Sequence, residues 1–309
     1  MQQRVAVLGA GLMGHGIAYL FAQGGWQVRL QDPNPAMRAS VRERIGAICA
    51  LLKSDAASLL ARIEIVSQIA EAVPEVSLVI EAAPEQLALK QQIFAELERH
   101  TASDTLLASN TSVIPIHAIS ERLQHRERVL GAHFWNPPHL VRLVEVVMMD
   151  ERNAAAADTL IAILSALHMH PVRVQRDIPG FIGNRLQHAL KREAIALVAA
   201  GVCDAQTIDE VVRYGFGARM AVLGPLEQSD LVGLALTQQI HDLLMPDLDV
   251  TPHTHPYLAE LIARGELGMK SGKGFRSWTP QEAQAVRERL SRFLADSAAK
   301  AAQDDSPSH

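Results

Sequence analysis

Residues 4–32 read RVAVLGAGLMGHGIAYLFAQGGWQVRLQD, and this stretch decides the fold of the first half of the chain. A β-branched segment leads into the turn GAGLMG (residues 9–14), an apolar helical segment follows, and a second strand ends at Asp32. A bare G-x-G-x-x-G is weak evidence. A preceding strand, a following helix and an acidic residue about 20 positions further on make it a dinucleotide-binding pattern. The stretch therefore predicts a βαβ nucleotide-binding unit.

Each position of the turn has its own physical reason. Gly9 permits the tight turn, Gly11 lets the backbone approach a pyrophosphate, and Gly14 allows the helix to pack closely on the strand. The helix N-terminus offers unpaired N–H groups to the phosphates. A carboxylate at Asp32 can accept both ribose hydroxyls and would repel a 2′-phosphate, which favours NAD over NADP; the alternative is that these glycines only form a tight loop. The predicted cofactor contacts in this stretch are Gly9, Gly11, Leu12, Met13, Gly14 and Asp32.

Composition excludes several classes of function. The chain has 309 residues with 29 Lys plus Arg against 34 Asp plus Glu, so it lacks the basic excess typical of a nucleic-acid binder. Cys49 and Cys203 are its only cysteines and form no C-x-x-C pair, which disfavours disulfides and metal sites and favours a reducing compartment. No apolar run is long enough to span a bilayer. We expect a cytoplasmic protein with no metal, nucleic-acid or membrane partner.

The order of predicted elements indicates two domains. After the opening unit, residues 36–72 are predicted to form a helical hairpin with a break near residues 54–55. Strands are predicted at 76–83, 105–110, 128–134, 143–149 and 171–175, with helices at 87–100 and 154–168. From residue 179 onward the pattern is helical. The prediction is an α/β protein: an N-terminal Rossmann-type, doubly wound sheet at 1–178 that binds NAD, then an all-α domain at 179–309 for substrate and dimerisation.

His133 is the leading candidate for a catalytic base. An enzyme that oxidises an alcohol with NAD needs a group that takes the hydroxyl proton as the hydride leaves carbon. His133 lies at the carboxyl end of a predicted strand, where open α/β sheets bind ligands. Glu145 follows twelve residues later, beyond a proline-rich turn, where two adjacent strands would bring its carboxylate against the imidazole. The alternative is a buried ion pair without a catalytic role.

Two polar side chains are further candidates. Ser109, in the motif SNTS at the end of another predicted strand, would offer its hydroxyl to the same crevice. Its alternative is a helix cap for the following segment. Asn184 lies one turn into the first helix of the second domain, from which its amide could reach across to the cofactor domain.

Five motifs together resemble the L-3-hydroxyacyl-CoA dehydrogenase family over nearly the whole chain: GAGLMGHGIA, ASNTS, HFWNPP followed by LVEVV, DIPGFIGNRL and GMKSGKGF. The resemblance implies that His133 is the catalytic base, Glu145 its partner, and Ser109 and Asn184 the groups that bind the substrate's C3 oxygen. It further implies NAD contacts from Glu85, Lys90, Asn136 and Lys270, and pairing of two copies of the chain as a homodimer.

The chain departs from the acyl-CoA members of that family in two places. The segment 36–72 is short, and its five basic residues are interleaved with acidic ones rather than forming a lysine-rich clamp for CoA phosphates. The segment 215–234, GFGARMAVLGPLEQSDLVGL, is similar to relatives that act on free hydroxy acids, such as carnitine and gulonate dehydrogenases. Arg142 or Arg219 is then a candidate for binding a substrate carboxylate; the alternative for each is a surface arginine.

Three functions remain open from the sequence. We slightly favour an NAD-dependent dehydrogenase of a free L-3-hydroxy acid. The second is a 3-hydroxyacyl-CoA dehydrogenase proper, for example one that uses 3-hydroxybutyryl-CoA. The third is an NAD-binding structural or sensory protein without catalysis, because a fold alone does not carry a function. The combination of Ser109, His133, Glu145 and Asn184 argues against this third function.

Overall fold

The computed structural model describes residues 3–304. The chain divides into two compact units, of which one contains the residues up to Asn184 and those from Leu290, and the other is Arg185–Arg289. The predicted domains extend to residues 1 and 309, so their outermost residues lie outside the described part. The predicted boundary between residues 178 and 179 stays a prediction.

The first unit is built on one eight-stranded sheet. Its strands are β1 (Arg4–Leu8), β2 (Gln27–Gln31), β3 (Ile63–Val66), β4 (Leu78–Glu81), β5 (Leu106–Ser109), β6 (Val129–Phe134), β7 (Leu143–Val147) and β8 (His170–Val174). The spatial order is β3-β2-β1-β4-β5-β6-β7-β8, and only the β6–β7 pairing is antiparallel. The first six positions have the strand order of a dinucleotide-binding fold.

Helices cover both faces of this sheet, as expected for strands buried on both sides. In β1, Val5 and Val7 belong to one apolar cluster, whereas Ala6 and Leu8 belong to a second cluster. The helices up to residue 170 are α1 (Gly14–Gln23), α2 (Pro35–Leu52), α3 (Ala56–Leu60), α4 (Ile69–Ala72), α5 (Leu87–His100), α6 (Ile116–Ile119) and α7 (Ala154–Ala166). The predicted doubly wound sheet is confirmed.

From Gly183 to Asp304, the described part of the chain is mainly helical, as predicted. Its helices are α8 (Gly183–Ala199), α9 (Ala205–Tyr214), α10 (Pro225–Val232), α11 (Leu234–Leu244), α12 (Pro256–Ala263) and α13 (Pro280–Asp304). Two isolated β-bridges join Lys273 to Gly268 and to Ser277. Among residues 3–304, no helix has the length and apolar character needed to cross a bilayer.

The prediction that residues 36–72 form only a helical hairpin is wrong at its end. The break near Ser54 is present: Lys53 adopts a φ of 55°, and the Asp55 side chain accepts hydrogen bonds from the N–H groups of residues 57 and 58. After α3, however, the chain forms strand β3, which pairs in parallel with β2. Ile63 and Ile65 alternate with Glu64, and a strand this short does not stand out against the helical period of its surroundings.

Candidate active site

The glycine turn fits a dinucleotide. Gly9 has a φ of 96°, and a Cβ there would lie 2.6 Å from the carbonyl oxygen of Ala82. A Cβ on Gly14 would lie 1.7 Å from the carbonyl oxygen of Gly9. At Gly11, by contrast, an added Cβ would have no protein atom within 4 Å. Gly9 and Gly14 are therefore required by packing, whereas Gly11 leaves open space beside the start of α1, where a pyrophosphate would approach the helix N-terminus.

Asp32 is joined to this turn. Its Oδ2 accepts a hydrogen bond from the Ala10 N–H at 2.8 Å, and its Oδ1 accepts one from the Asn34 N–H at 2.9 Å. Each carboxylate oxygen has a second lone pair. Asp32 is therefore held at the end of β2 with acceptor capacity left for a ribose. Of the neighbouring predicted contacts, Leu12 is exposed and Met13 half-buried.

His133 and Glu145 form the contact that their spacing predicts. They are directly opposite each other in the antiparallel β6–β7 pair, both are buried, and His133 Nδ1 lies 2.7 Å from Glu145 Oε2. Because a carboxylate can only accept, Nδ1 carries the proton in this contact and Nε2 is left as the basic atom. The rings of Trp135 and Phe181 lie 5.4 and 5.7 Å from the imidazole and limit its rotation.

Glu145 is held as an anion. Its Oε1 accepts hydrogen bonds from the N–H groups of Ile182 and Gly183 at 2.9 and 3.0 Å. Burial alone would raise the pKa of this carboxyl, but the hydrogen bonds from His133, Gly183 and Ile182 outweigh burial and lower the pKa below its ordinary value. An ionised Glu145 fixes the histidine tautomer and stabilises a positive charge on the ring.

Ser109 does not fit its predicted role at the substrate. Its side chain is completely buried, and its Oγ donates to Glu81 Oε2 at 2.5 Å. Ser109 is the last residue of β5 and lies in register beside Glu81, the last residue of β4. The hydroxyl therefore points to a neighbouring strand and not to a ligand site. Sequence reasoning had not selected Glu81, although an acid at the end of an apolar strand is a signal for a buried charge.

The second serine of SNTS has the better position. Ser112 lies in the loop beyond β5 and is partly exposed, and its carbonyl oxygen accepts a hydrogen bond from Asn184 Nδ2 at 3.1 Å. The loop is also joined to the strand of the histidine, because Asn110 Oδ1 accepts the Phe134 N–H at 2.9 Å. The strand-end rule selects the first serine of the motif, so sequence analysis alone does not single out Ser112.

Glu85 and Lys90 lie at the same edge of the sheet. Glu85 Oε1 accepts from Thr111 Oγ1 at 2.5 Å and from the Ser112 and Val113 N–H groups at 2.9 and 3.1 Å. Lys90 is buried, and three oxygen atoms surround its Nζ: Glu81 Oε1 at 2.7 Å, the Ala83 carbonyl at 3.3 Å and Glu85 Oε2 at 3.4 Å. An ammonium has three N–H donors, so all of those of Lys90 face protein oxygens.

The sequence also predicts roles for Asn136, Arg142, Lys270 and Arg219. Asn136 is exposed in the turn directly after β6. Arg142 Nε donates to the His168 carbonyl at 2.7 Å. Lys270 and Arg219 belong to the second unit and stay predictions. Within residues 3–304, no cluster of His, Cys, Asp or Glu side chains could hold a metal ion.

Comparisons with known proteins identify the family of the chain. The family model described as "3-hydroxyacyl-CoA dehydrogenase, NAD binding domain" matches residues 4–178, and the model of the same family's C-terminal domain matches residues 180–278. The 5-formyl-3-hydroxy-2-methylpyridine 4-carboxylate 5-dehydrogenase of Mesorhizobium japonicum is 32% identical over 95% of this chain and 96% of its own length. A probable 3-hydroxybutyryl-CoA dehydrogenase of Bacillus subtilis is 35% identical over 88% and 96%.

A solved structure gives the same result for the fold. The crystal structure of 5-formyl-3-hydroxy-2-methylpyridine 4-carboxylic acid 5-dehydrogenase, described as an NAD⁺-dependent dismutase, superposes with a TM-score of 0.89. It is 30% identical and covers 97% of this chain and 99% of its own. NAD is therefore the cofactor of this fold, and the glycine turn and Asp32 are the residues that would hold it.

The glycine turn gives a first testable prediction. Gly11→Ala should leave the melting temperature near that of the wild type, because its Cβ enters open space, but should raise the Kd for NADH about tenfold, a loss of about 1.4 kcal/mol. Gly14→Ala is the contrasting variant, and its backbone clash should cost about 3 kcal/mol of unfolding free energy. Thermal unfolding and NADH fluorescence titration separate the two effects. An unchanged NADH Kd in Gly11→Ala would contradict a pyrophosphate at this position.

Glu145 gives a second prediction. A carboxyl whose pKa is lower in the folded than in the unfolded chain adds stability above its ordinary pKa, about 4.3, and this stability is lost as the pH falls through the folded value. Wild type should therefore be more stable than Glu145→Gln at pH 7, and the difference should shrink steadily below pH 4. Urea unfolding at a series of pH values measures it. A difference that is constant from pH 7 to pH 3 would show that ionisation of Glu145 contributes nothing.

Proposed function

The chain belongs to the 3-hydroxyacyl-CoA dehydrogenase family, and from that premise we propose that it oxidises the 3-hydroxyl of a small free L-3-hydroxy acid with NAD. The observation that carries the proposal is the buried His133–Glu145 contact at the carboxyl edge of the sheet. This edge also holds the glycine turn, because parallel strands end on the same side. A base and a cofactor site at one edge are what alcohol oxidation requires.

In the proposed mechanism, Nε2 of His133 accepts the proton of the substrate's 3-hydroxyl. NAD, when bound, supplies the acceptor for the hydride that leaves C3. Glu145 stabilises the imidazolium that forms, at a distance of 2.7 Å. Ser112 takes the role first assigned to Ser109: its hydroxyl would donate to the C3 oxygen, as would the second N–H of the Asn184 amide. In the reverse direction, protonated His133 returns the proton.

The basic residues of segment 36–72 support a free acid over a CoA thioester. Three of the five already bind backbone carbonyls: Arg38 that of Asp32 at 2.7 Å, Arg62 that of Ala22 at 2.9 Å and Arg44 that of Ala10 at 3.4 Å. Arg42 and Lys53 are exposed on a helix and at its end. A clamp for the CoA phosphates would need more cations directed to one place.

The similarity to the Mesorhizobium japonicum enzyme points the same way, since its name specifies a pyridine carboxylate rather than a thioester. The similarity to a probable 3-hydroxybutyryl-CoA dehydrogenase keeps the thioester as the second candidate. For a free acid, Arg219 is the proposed partner of the substrate carboxylate, since a guanidinium binds a carboxylate through two parallel hydrogen bonds. Arg142, whose Nε donates to the His168 carbonyl at 2.7 Å, is the second candidate.

Turnover tests this function. With NAD, wild type should form NADH from free L-3-hydroxy acids with a higher kcat/KM than from L-3-hydroxybutyryl-CoA. His133→Gln should lower kcat by about 10²–10⁴-fold with an NADH Kd close to that of the wild type. A higher kcat/KM for the thioester would reverse the substrate assignment. A wild type that binds NADH but is inert with both classes would favour a binding protein without catalysis.

We also propose that two copies of the chain pair through the helical unit. Within Arg185–Arg289, only Leu261 and Ala283 are buried apolar residues, and α9, α10 and α11 have no buried residue at all. Large side chains such as Leu243, 80% exposed, face solvent instead. A unit of this size cannot be stable with so little apolar burial, and a second copy related by a two-fold axis would cover the same faces on both chains.

The pairing has a direct measurement. Light scattering after size exclusion should give about twice the chain mass of 33.7 kDa, and the melting temperature should rise with protein concentration. Ile240→Asp combined with Leu243→Asp, both on α11, should yield monomer with a lower melting temperature. Leu51→Asp, an exposed leucine on α2, is the matched control and should remain a dimer. A monomeric wild type at micromolar concentration would refute the pairing.

A further inference from the structure

Four side chains at the carboxyl ends of β4 and β5 form a buried polar cluster. Glu81, Lys90, Ser109 and Thr111 are each at most 1% exposed. Charged residues are almost never fully buried unless they are paired. The function proposed above uses neither Glu81 nor the hydroxyl of Ser109, so the cluster needs its own explanation.

Glu81 is the centre of the cluster and uses both of its oxygens. Oε1 accepts from Lys90 Nζ and from the Ala83 N–H, each at 2.7 Å. Oε2 accepts from Ser109 Oγ at 2.5 Å. Ser109 Oγ in turn accepts the Thr111 N–H at 3.2 Å. Glu81 thereby fixes the start of the segment that leaves β5.

Glu85 fixes the other end of the same segment through its bonds to Thr111, Ser112 and Val113. Burial opposes ionisation of Glu85, but these hydrogen bonds and the charge of Lys90 lower its pKa below the ordinary value. Lys90 faces both carboxylates, at 2.7 and 3.4 Å. One ammonium thus balances two acids that hold residues 109–113 from two sides.

Stability alone does not account for this arrangement. A buried ion pair is often no better than well-packed apolar side chains of the same volume. The arrangement does, however, restrict a loop with direct links to the candidate site. Ser112 lies on it, and Asn110 accepts the N–H of Phe134, the residue after His133. Catalytic groups must be held to within a fraction of an ångström, and supporting hydrogen bonds do this.

We infer that Glu81 is a positioning residue for the reaction: together with Lys90 and Ser109 it fixes the 109–113 loop, and so places Ser112 relative to His133. This inference rests on the proposed function, because Glu81 acts through the contact of Ser112 with the substrate. Lys90 supports Glu81 and Glu85 in this arrangement, and the NAD contact that family resemblance implies for it stays a prediction.

A double-mutant cycle tests the inference. Glu81→Gln keeps the shape of the side chain but removes the charge that Lys90 faces, and should lower kcat about tenfold with an NADH Kd within about twofold of the wild type. In a Ser112→Ala background, the same change should lower kcat by less than about twofold, because coupled residues are not additive. Independent, multiplicative losses in the double variant would overturn the inference. Gln92→Ala, exposed on α5, is the control and should leave kcat unchanged.

Two further measurements keep the test decisive. Ser109→Ala breaks one bond of Glu81 without stranding a buried charge, and should show the same coupling to Ser112 if Glu81→Gln folds poorly. Amide hydrogen exchange at residues 111–113 should be faster in both variants, with the exchange of β1 and β2 unchanged. Unchanged exchange at 111–113 would overturn the inference even in an inactive chain. If the wild type shows no turnover but exchange at residues 111–113 is faster in the variants, the role of Glu81 in fixing the loop is supported. In that case the absence of turnover refutes only the proposed function.

Discussion

The candidate site depends on the one antiparallel pairing in its sheet. Because β7 runs against β6, Glu145 lies directly opposite His133, and their side chains meet at 2.7 Å on the same face. A shift of one residue in this register would turn every side chain of β7 to the other face and leave a carboxylate buried without its partner. The second oxygen of Glu145 binds the N–H groups of Ile182 and Gly183, so one carboxylate both orients the base and holds the start of α8.

A carboxylate also fixes the predicted cofactor site. Asp32 binds the Ala10 N–H, which fixes the glycine turn against the end of β2, and is also the residue expected to read the ribose. Contacts within the protein stabilise the shape of the turn without a ligand, since Gly9 packs against the backbone of Ala82 and Gly14 packs against the backbone of Gly9. A site formed before the ligand arrives avoids the entropic cost of ordering it on binding.

The sequence predicted what local patterns specify. The glycine spacing identified the nucleotide-binding unit, and the proline-rich turn between His133 and Glu145 indicated two adjacent strands on which the two side chains could meet. The exact register across the intervening residues 135–142 came only from the structure. Prediction from the sequence failed where contacts between distant segments determine the structure. β3 pairs with the edge of β2, and the alternation of Ile63, Glu64 and Ile65 is too short to distinguish it from the helical segments on either side. Ser109 and Ser112 are chemically identical, and only the position of Glu81 beside Ser109 shows which hydroxyl is already used.

The same principle bears on the substrate. The number of basic residues in 36–72 indicates how many phosphates the segment could bind only if their side chains do not already bind other groups of the protein. Arg38 binds two consecutive carbonyls, those of Asp32 and Pro33, and Arg62 binds the carbonyl of Ala22. The N–H groups that make these bonds are not available to a CoA phosphate, so each of these guanidinium groups could offer it only its remaining donors. These arginines therefore serve the fold of the nucleotide-binding unit, and the proposed free acid, with a single carboxylate, needs fewer cations than the three phosphates of CoA.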